Sequence, residues 1–127
     1  RVGCANRLGA LYYEGNGVEK DYAKAFQLLK YGYDHNTTWG VCYLGKCYFR
    51  GLGTQQDYGK AREFLEQVDW TNREAFYMLG VIYGQGLGVP EDIKKGVEYL
   101  QKAGDNEEAK KELLKYKKTL FGKWVRR

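Results

Sequence analysis

The chain predicts an all-α solenoid of three helical hairpins followed by a C-terminal capping helix, and three observations predict it. A phrase recurs three times: Leu8-Gly9-x-x-Tyr12-x-x-Gly15-x-Gly17-Val18-x-x-Asp21, then Leu44-Gly45-x-x-Tyr48-x-x-Gly51-x-Gly53-Thr54-x-x-Asp57, then Leu79-Gly80-x-x-Tyr83-x-x-Gly86-x-Gly88-Val89-x-x-Asp92. Its leucines lie 36 and 35 residues apart, a period that marks stacked units, each unable to bury its apolar face alone. The apolar residues on either side of each glycine pair follow helical spacing, and the glycines and the aspartate supply stop and start signals between them.

The first helix of each unit carries the leucine and the tyrosine. Cys4, Leu8, Leu11 and Tyr12 share helical spacing, as do Leu44, Cys47 and Tyr48. Gly15, Gly51 and Gly86 then end the helix, since glycine closes a C-terminus in the left-handed conformation. Gly17, Gly53 and Gly88 let the chain turn sharply. Asp21, Asp57 and Asp92 fit as N-caps, their carboxylates accepting from orphan backbone N–H groups. The second helix follows, with Ala25, Leu28 and Leu29, then Ala61, Phe64 and Leu65, then Val97 and Leu100 on its buried face. Pro90 precedes its cap, where it interrupts nothing. Glycine inside a helix costs about 1 kcal/mol relative to alanine, so Gly9, Gly45 and Gly80 imply close helix–helix approach. The small residues expected opposite them are Ala25, Ala61 and Gly96. Tyr12, Tyr48 and Tyr83 should fill the space beside that contact, each phenol oxygen reaching a polar partner.

After the third unit Ala109 and Leu113 keep first-helix spacing, but no Gly-x-Gly turn arrives and lysines replace apolar residues. That suits a terminal cap over 105–127, with repeats at about 4–36, 40–70 and 75–103 in one domain. Leu120-Phe121-Gly122-Lys123-Trp124 is expected to fold back as an apolar anchor. Arg1 opens the chain and Met78 is its single methionine, so the stretch is expected to belong to a longer protein. The start of the first unit carries no polar cap, and association with another repeat or subunit is expected there. A cytoplasmic setting is expected too, since free thiols suit a reducing compartment.

The 127 residues carry 29% charged and 43% hydrophobic side chains, a folded rather than a disordered balance. No stretch approaches the roughly 20 apolar residues of a membrane helix. The net charge of +5 is uneven: residues 110–127 hold eight Lys/Arg against one Glu, and the remainder sums to −2. Cys4, Cys42 and Cys47 are odd in number and irregular in spacing, which suits free thiols. No ligand set for zinc forms around them and His35, and no cofactor is expected.

The phrase, extended by Lys24-Ala25, Lys60-Ala61 and Lys95, resembles the Sel-one-like repeat (SLR) family, a relative of the tetratricopeptide repeat. The match spans about residues 4–103. Thr54 replaces the usual valine, Gly96 the usual alanine, and Cys4 and Gly40 the usual leading alanine. The resemblance implies a right-handed α/α superhelix acting as a protein-interaction scaffold or adaptor, often in bacterial signalling, envelope assemblies or host interaction, and not an enzyme. Some secreted bacterial members carry a disulfide in each repeat, but the cysteines here do not recur with the unit. By analogy with tetratricopeptide repeats, offsets from the leading leucine place Asn6, Ala10, Tyr13 and Glu14, then Trp39, Cys42, Lys46, Phe49 and Arg50, then Glu74, Tyr77, Val81 and Gln85 on a concave face. From these, Tyr13, Trp39, Lys46, Phe49, Arg50, Tyr77 and Gln85 form the expected partner-binding set, because aromatics and arginine dominate binding hot spots. An extended peptide or a partner helix would lie there.

Sharper chemistry is disfavoured. Gly84-x-Gly86-x-Gly88 imitates a phosphate loop, but a helix rather than a strand precedes it, and matching turns occur twice more. Glu91-Asp92 and Glu107-Glu108 sit at predicted helix starts, where acids favour the dipole. His35 has no nucleophile near it by any pattern. Asn36-Thr37-Thr38 matches a glycosylation sequon, relevant only in a secreted eukaryotic protein. A rival reading uses the tail: Lys110, Lys111, Lys115, Lys117, Lys118, Lys123, Arg126 and Arg127 would meet nucleic acid or anionic membrane, with the repeats as spacer. Ordinary solvated lysines are the simpler account, and nucleic acid is not the expected partner.

Overall fold

The structure, a computed structural model, describes residues 2–68 and 72–127. Positions 69 and 70, assigned by sequence to the end of the second repeat, lie outside the described residues. Contacts divide the chain into two compact units, Arg1–Val68 and Asp69–Arg127.

In the first unit α1 (Val2–Glu14) packs on α2 (Tyr22–Asp34), α2 meets α3 (Val41–Arg50), and α3 pairs with α4 (Tyr58–Leu65). In the second unit α5 (Arg73–Gln85) pairs with α6 (Ile93–Lys102), and α7 (Glu107–Leu113) packs on both. The first six helices thus form three hairpins.

The turns follow the repeated phrase. Gly15, Gly51 and Gly86 take φ of +68°, +68° and +66°, the left-handed geometry that closes a helix. Asp21, Asp57 and Asp92 each accept from the backbone N–H three residues on, at 3.0 Å. A further clasp repeats: the N–H of each aspartate donates to the carbonyl of Tyr12, Tyr48 or Tyr83, at 3.0, 3.0 and 2.8 Å. The motif tyrosine therefore fixes the second helix through its backbone as well as its ring.

The helix glycines are points of close approach. A Cβ on Gly9 would stand 2.8 Å from Leu29 Cγ, one on Gly45 2.5 Å from Leu65 Cδ2, and one on Gly80 2.6 Å from Leu100 Cγ. The partner is thus a leucine four residues beyond the small residue expected. Ala25 and Gly96 contribute backbone carbonyls at 3.1 and 3.0 Å. The motif lysine also acquires a role: Lys24, Lys60 and Lys95 place their ammonium groups 5.3, 5.6 and 4.3 Å from the ring centroids of Tyr12, Tyr48 and Tyr83, a cation–π contact worth about 0.5–1 kcal/mol.

Leu44 and Leu79 are core residues, whereas Leu8, their counterpart, is 40% exposed. It shares an outward side of α1 with Cys4 and Arg7, while Asn6 and Ala10 face inward.

The C-terminal region departs furthest from expectation. Helix α7 stops at Leu113, and the chain continues as an antiparallel hairpin of β1 (Tyr116–Lys118) and β2 (Trp124–Arg126), pairing Tyr116 with Arg126 and Lys118 with Trp124. Tyr, Trp and Val suit a pleated, half-buried surface. The region does fold back, but through Tyr116, 2% exposed, and Trp124, which packs on a core of Phe76, Val97, Leu100, Ala103 and Ala109. Leu120 and Phe121, expected as part of the anchor, point into solvent.

Candidate functional site

Helix α3 sets four side chains on one side at intervals of four, three and four: Trp39 just before it, then Tyr43, Lys46 and Arg50. Residues so spaced are neighbours on a helix surface. The end of α1 supplies Tyr13 and Glu14 opposite them. Tyr13 stands edge-on to Tyr43, with ring centroids 5.3 Å apart at 72°, and edge-on to Tyr22 at 5.3 Å and 71°. Trp39 stacks on Tyr43 at 6.0 Å and 20°, and it remains 52% exposed.

Charge is built into these rings. The Lys46 ammonium lies 5.0 Å from the Tyr13 centroid and 4.6 Å from that of Tyr43. The Tyr43 hydroxyl donates to Glu14 Oε2 at 3.1 Å. Burial pushes the Tyr13 phenol above its ordinary value, opposed by Lys46 and Arg50 beside it. The Arg50 guanidinium also lies 6.0 Å from the Phe49 ring, which meets Tyr58 edge-on at 5.6 Å. Gln56 Nε2 ties that edge together, donating to Phe49 O at 2.8 Å and to Tyr58 Oη at 3.1 Å.

The first unit thus brings together Tyr13, Trp39, Lys46, Phe49 and Arg50 from the expected set. It adds Tyr43, which counting from Leu44 had passed over. The signal was present in the i, i+4 spacing from Trp39. Two expected concave residues of this unit are corrected: Asn6 is 1% exposed and Ala10 5%. Asn6 packs against Gly32 and Gly40, where an added Cβ would meet its amide, and its Nδ2 donates to Thr37 Oγ1 at 3.3 Å. Cys42 is half-buried.

In the second unit the expected contacts serve internal packing. Tyr77 is half-buried against the core around Phe76 and Val97. Gln85 Nε2 donates to Glu112 Oε2, joining α5 to α7 at a carboxylate that is itself 7% exposed and paired with Lys115 at 3.0 Å. Val81, at 7%, is core rather than surface. Glu74 is half-buried.

His35 stacks on Tyr31 at 4.0 Å, its Nδ1 2.8 Å from Tyr31 O at the end of α2. Glu91 pairs with Arg126, and Glu107 with Lys110 at 3.6 Å. Among the described residues no group of three or more His, Cys, Asp or Glu could hold a metal ion, and no helix is long and apolar enough to cross a membrane. The three cysteines carry free thiols.

The family model described as Sel1 repeat matches residues 3–36, 40–67 and 74–107. Two solved structures are similar. One is the crystal structure of c5321, a protective antigen present in uropathogenic Escherichia coli strains and displaying an SLR fold. It is 30% identical with a TM-score of 0.69, over 83% of this chain and 23% of that one. The other is a Sel1 repeat protein from Oxalobacter formigenes, 28% identical with a TM-score of 0.64, over 83% of this chain and 43% of that one. The chain therefore spans less than half the length of either. No curated protein matches it.

Proposed function

Because this chain belongs to the Sel1 repeat family, whose repeats generally mediate protein interactions, we propose that it is a non-enzymatic adaptor holding a peptide or partner-protein segment on the α1–α3 aromatic face. The observation that carries this reading is the assembly of Trp39, Tyr43, Tyr13 and Lys46, with Trp39 half in solvent although a ring lies ready beneath it. Tyr43 and Tyr13 make each other rigid, so little side-chain entropy remains to be lost on binding. The polar rim of Glu14, Lys46 and Arg50 supplies hydrogen-bonding and charge for orientation.

Selection of peptides from a random display library on the intact chain tests the reading. Enriched sequences should bind Trp39→Ala about tenfold or more weakly, with the unfolding midpoint of that variant close to wild type. Library enrichment that Trp39→Ala and Lys46→Ala both retain in full would place recognition elsewhere and overturn the assignment.

A further inference from the structure

Leu120 and Phe121 are each 96% exposed, side by side at the tip of the β1–β2 hairpin, and the adaptor reading makes no use of them. The tip is a built turn. Thr119 N donates to Lys123 O at 2.7 Å, Gly122 N to Thr119 O at 2.9 Å, and Lys123 N to Thr119 Oγ1 at 3.0 Å. Gly122 takes φ +84°, a geometry that favours glycine. The base of the hairpin is equally fixed. Tyr116 lies against Gly84, at a spot an added Cβ would occupy. Arg126 donates to Gly84 O at 3.1 Å and pairs with Glu91. The fold therefore holds a stiff arm that lifts two large apolar side chains into water, where burial rewards neither.

The charge that the hairpin itself carries is of one sign, while Glu91, Asp92 and Glu98 line a cavity on one of its sides together with Lys118 and Lys123. Residues 113–127 carry six Lys/Arg and no acid. Of these, Lys115 and Arg126 pair with Glu112 and Glu91 at the base, whereas Lys117 and Lys118 on β1 and Lys123 in the turn before β2 stand exposed. A convex apolar point flanked by three lysines of its own arm matches an anionic bilayer chemically, with phosphates above and acyl chains below. A nucleic-acid duplex would engage the lysines and leave Leu120 in water. A protein pocket would need a concave complement, and a run of cations at its rim would work against most of them.

We propose that the hairpin tip inserts into the interface of an anionic lipid bilayer, Leu120 and Phe121 entering the acyl boundary and Lys117, Lys118 and Lys123 meeting headgroup phosphates. Binding of this kind needs both parts, since a short apolar anchor or a small basic patch alone holds only marginally.

The test is co-sedimentation of the 127-residue chain with phosphatidylcholine vesicles, with and without about 30% phosphatidylserine. The chain should partition onto the anionic vesicles and scarcely onto the neutral ones. The double variant Leu120→Ser/Phe121→Ser should lose about tenfold or more of that partitioning, and Lys117→Ala/Lys118→Ala/Lys123→Ala about a hundredfold, at roughly fivefold per lysine. Exposure of the substituted residues means that both variants keep the wild-type circular dichroism and unfolding midpoint, and a shift in either would instead assign the tip to folding and overturn the proposal. Lipids brominated on the acyl chain should quench Phe121→Trp more than the wild type, which already holds Trp39, Trp70 and Trp124. No sedimentation with anionic vesicles, equal partitioning of the tip variant, or no quenching beyond that of the wild type each overturns insertion. Tighter binding to a DNA duplex, weakened by the same tip substitutions, would reassign the arm to nucleic acid.

Discussion

Gly53 lies directly against the backbone of Tyr22: a Cβ added there would overlap the Tyr22 carbonyl, with its carbon 2.6 Å away and Ala23 N at 3.1 Å. The second turn of the repeat array therefore seats itself on the start of α2, and only a residue without a side chain fits. Gly17 holds the same place in the first turn, yet an added Cβ there meets nothing within 4 Å. Both take positive φ, +73° and +79°. Gly17→Ala should cost only the left-handed backbone, about 1–2 kcal/mol. Gly53→Ala should cost that and a displaced helix start, about 3 kcal/mol or more. Urea unfolding midpoints separate the two, and equal losses would mean that Gly53 acts through its conformation alone.

The aromatic residues divide into contacts and core by the stability each supports. Tyr13 and Tyr77 are half-buried with rings or core packed around them, so alanine at either should destabilise by roughly 2–4 kcal/mol. Trp39 makes one stacked contact and is half exposed, and Trp39→Ala should cost about 1 kcal/mol or less. Chemical denaturation of the three single variants checks the order. A loss at Trp39 as large as that at Tyr13 would make the tryptophan structural and remove it from the binding face.

The repeated turns, caps and helix pairs were legible because each rests on local chemistry written three times. Asp21, Asp57 and Asp92 cap, and Gly15, Gly51 and Gly86 close, for reasons contained within a few residues. The faces were less legible. Offsets borrowed from tetratricopeptide repeats put Asn6, Ala10 and Val81 on a concave surface, but Ala10 and Val81 are core residues, at 5% and 7% exposure. Asn6 is enclosed by two further glycines, Gly32 and Gly40, that nothing in the repeated phrase marks. Tyr43 was hidden by counting from Leu44 rather than along the helix from Trp39. The hairpin was masked by its lysines: their density reads as a solvated helix, while the strand signal rests on only Tyr116, Trp124 and Val125.

Gln85 and Glu112 join α5 to α7, and that bond holds a carboxylate at 7% exposure. Gln85→Ala takes away one of its donors and leaves Lys115 as the remaining partner. The expected loss is about 1–3 kcal/mol. Glu112→Gln, which keeps a hydrogen-bonding group of the same shape, should cost less than Gln85→Ala. Hydrogen exchange should show the change in α7 and in the Tyr116–Lys118 strand that follows it. A Gln85→Ala variant with unaltered exchange there would mean that the apolar packing of Ala109 and Leu113 holds α7 without that bond.

Alkaline pH should weaken the first unit through Cys47. Its thiol is fully buried, and burial pushes it up from an ordinary 9.0 to about 12, with Lys46 opposing weakly. The unfolded chain therefore gives up this proton first as pH rises. The stabilisation is complete below about 9 and is lost as pH climbs through the window toward 12, by up to about 1.4 kcal/mol per pH unit. Tyr13 and Tyr116, both pushed up mainly by burial, act in the same direction above their ordinary value. Cys47→Ala should start from lower stability, because it leaves a small cavity, yet show a shallower decline between about pH 9 and 11. Labelling with a thiol reagent gives an independent reading: exposed Cys4 should react promptly, and Cys47 only at the rate of unfolding. A Cys47→Ala variant whose midpoint falls with pH as steeply as wild type would transfer the alkaline sensitivity to the tyrosines.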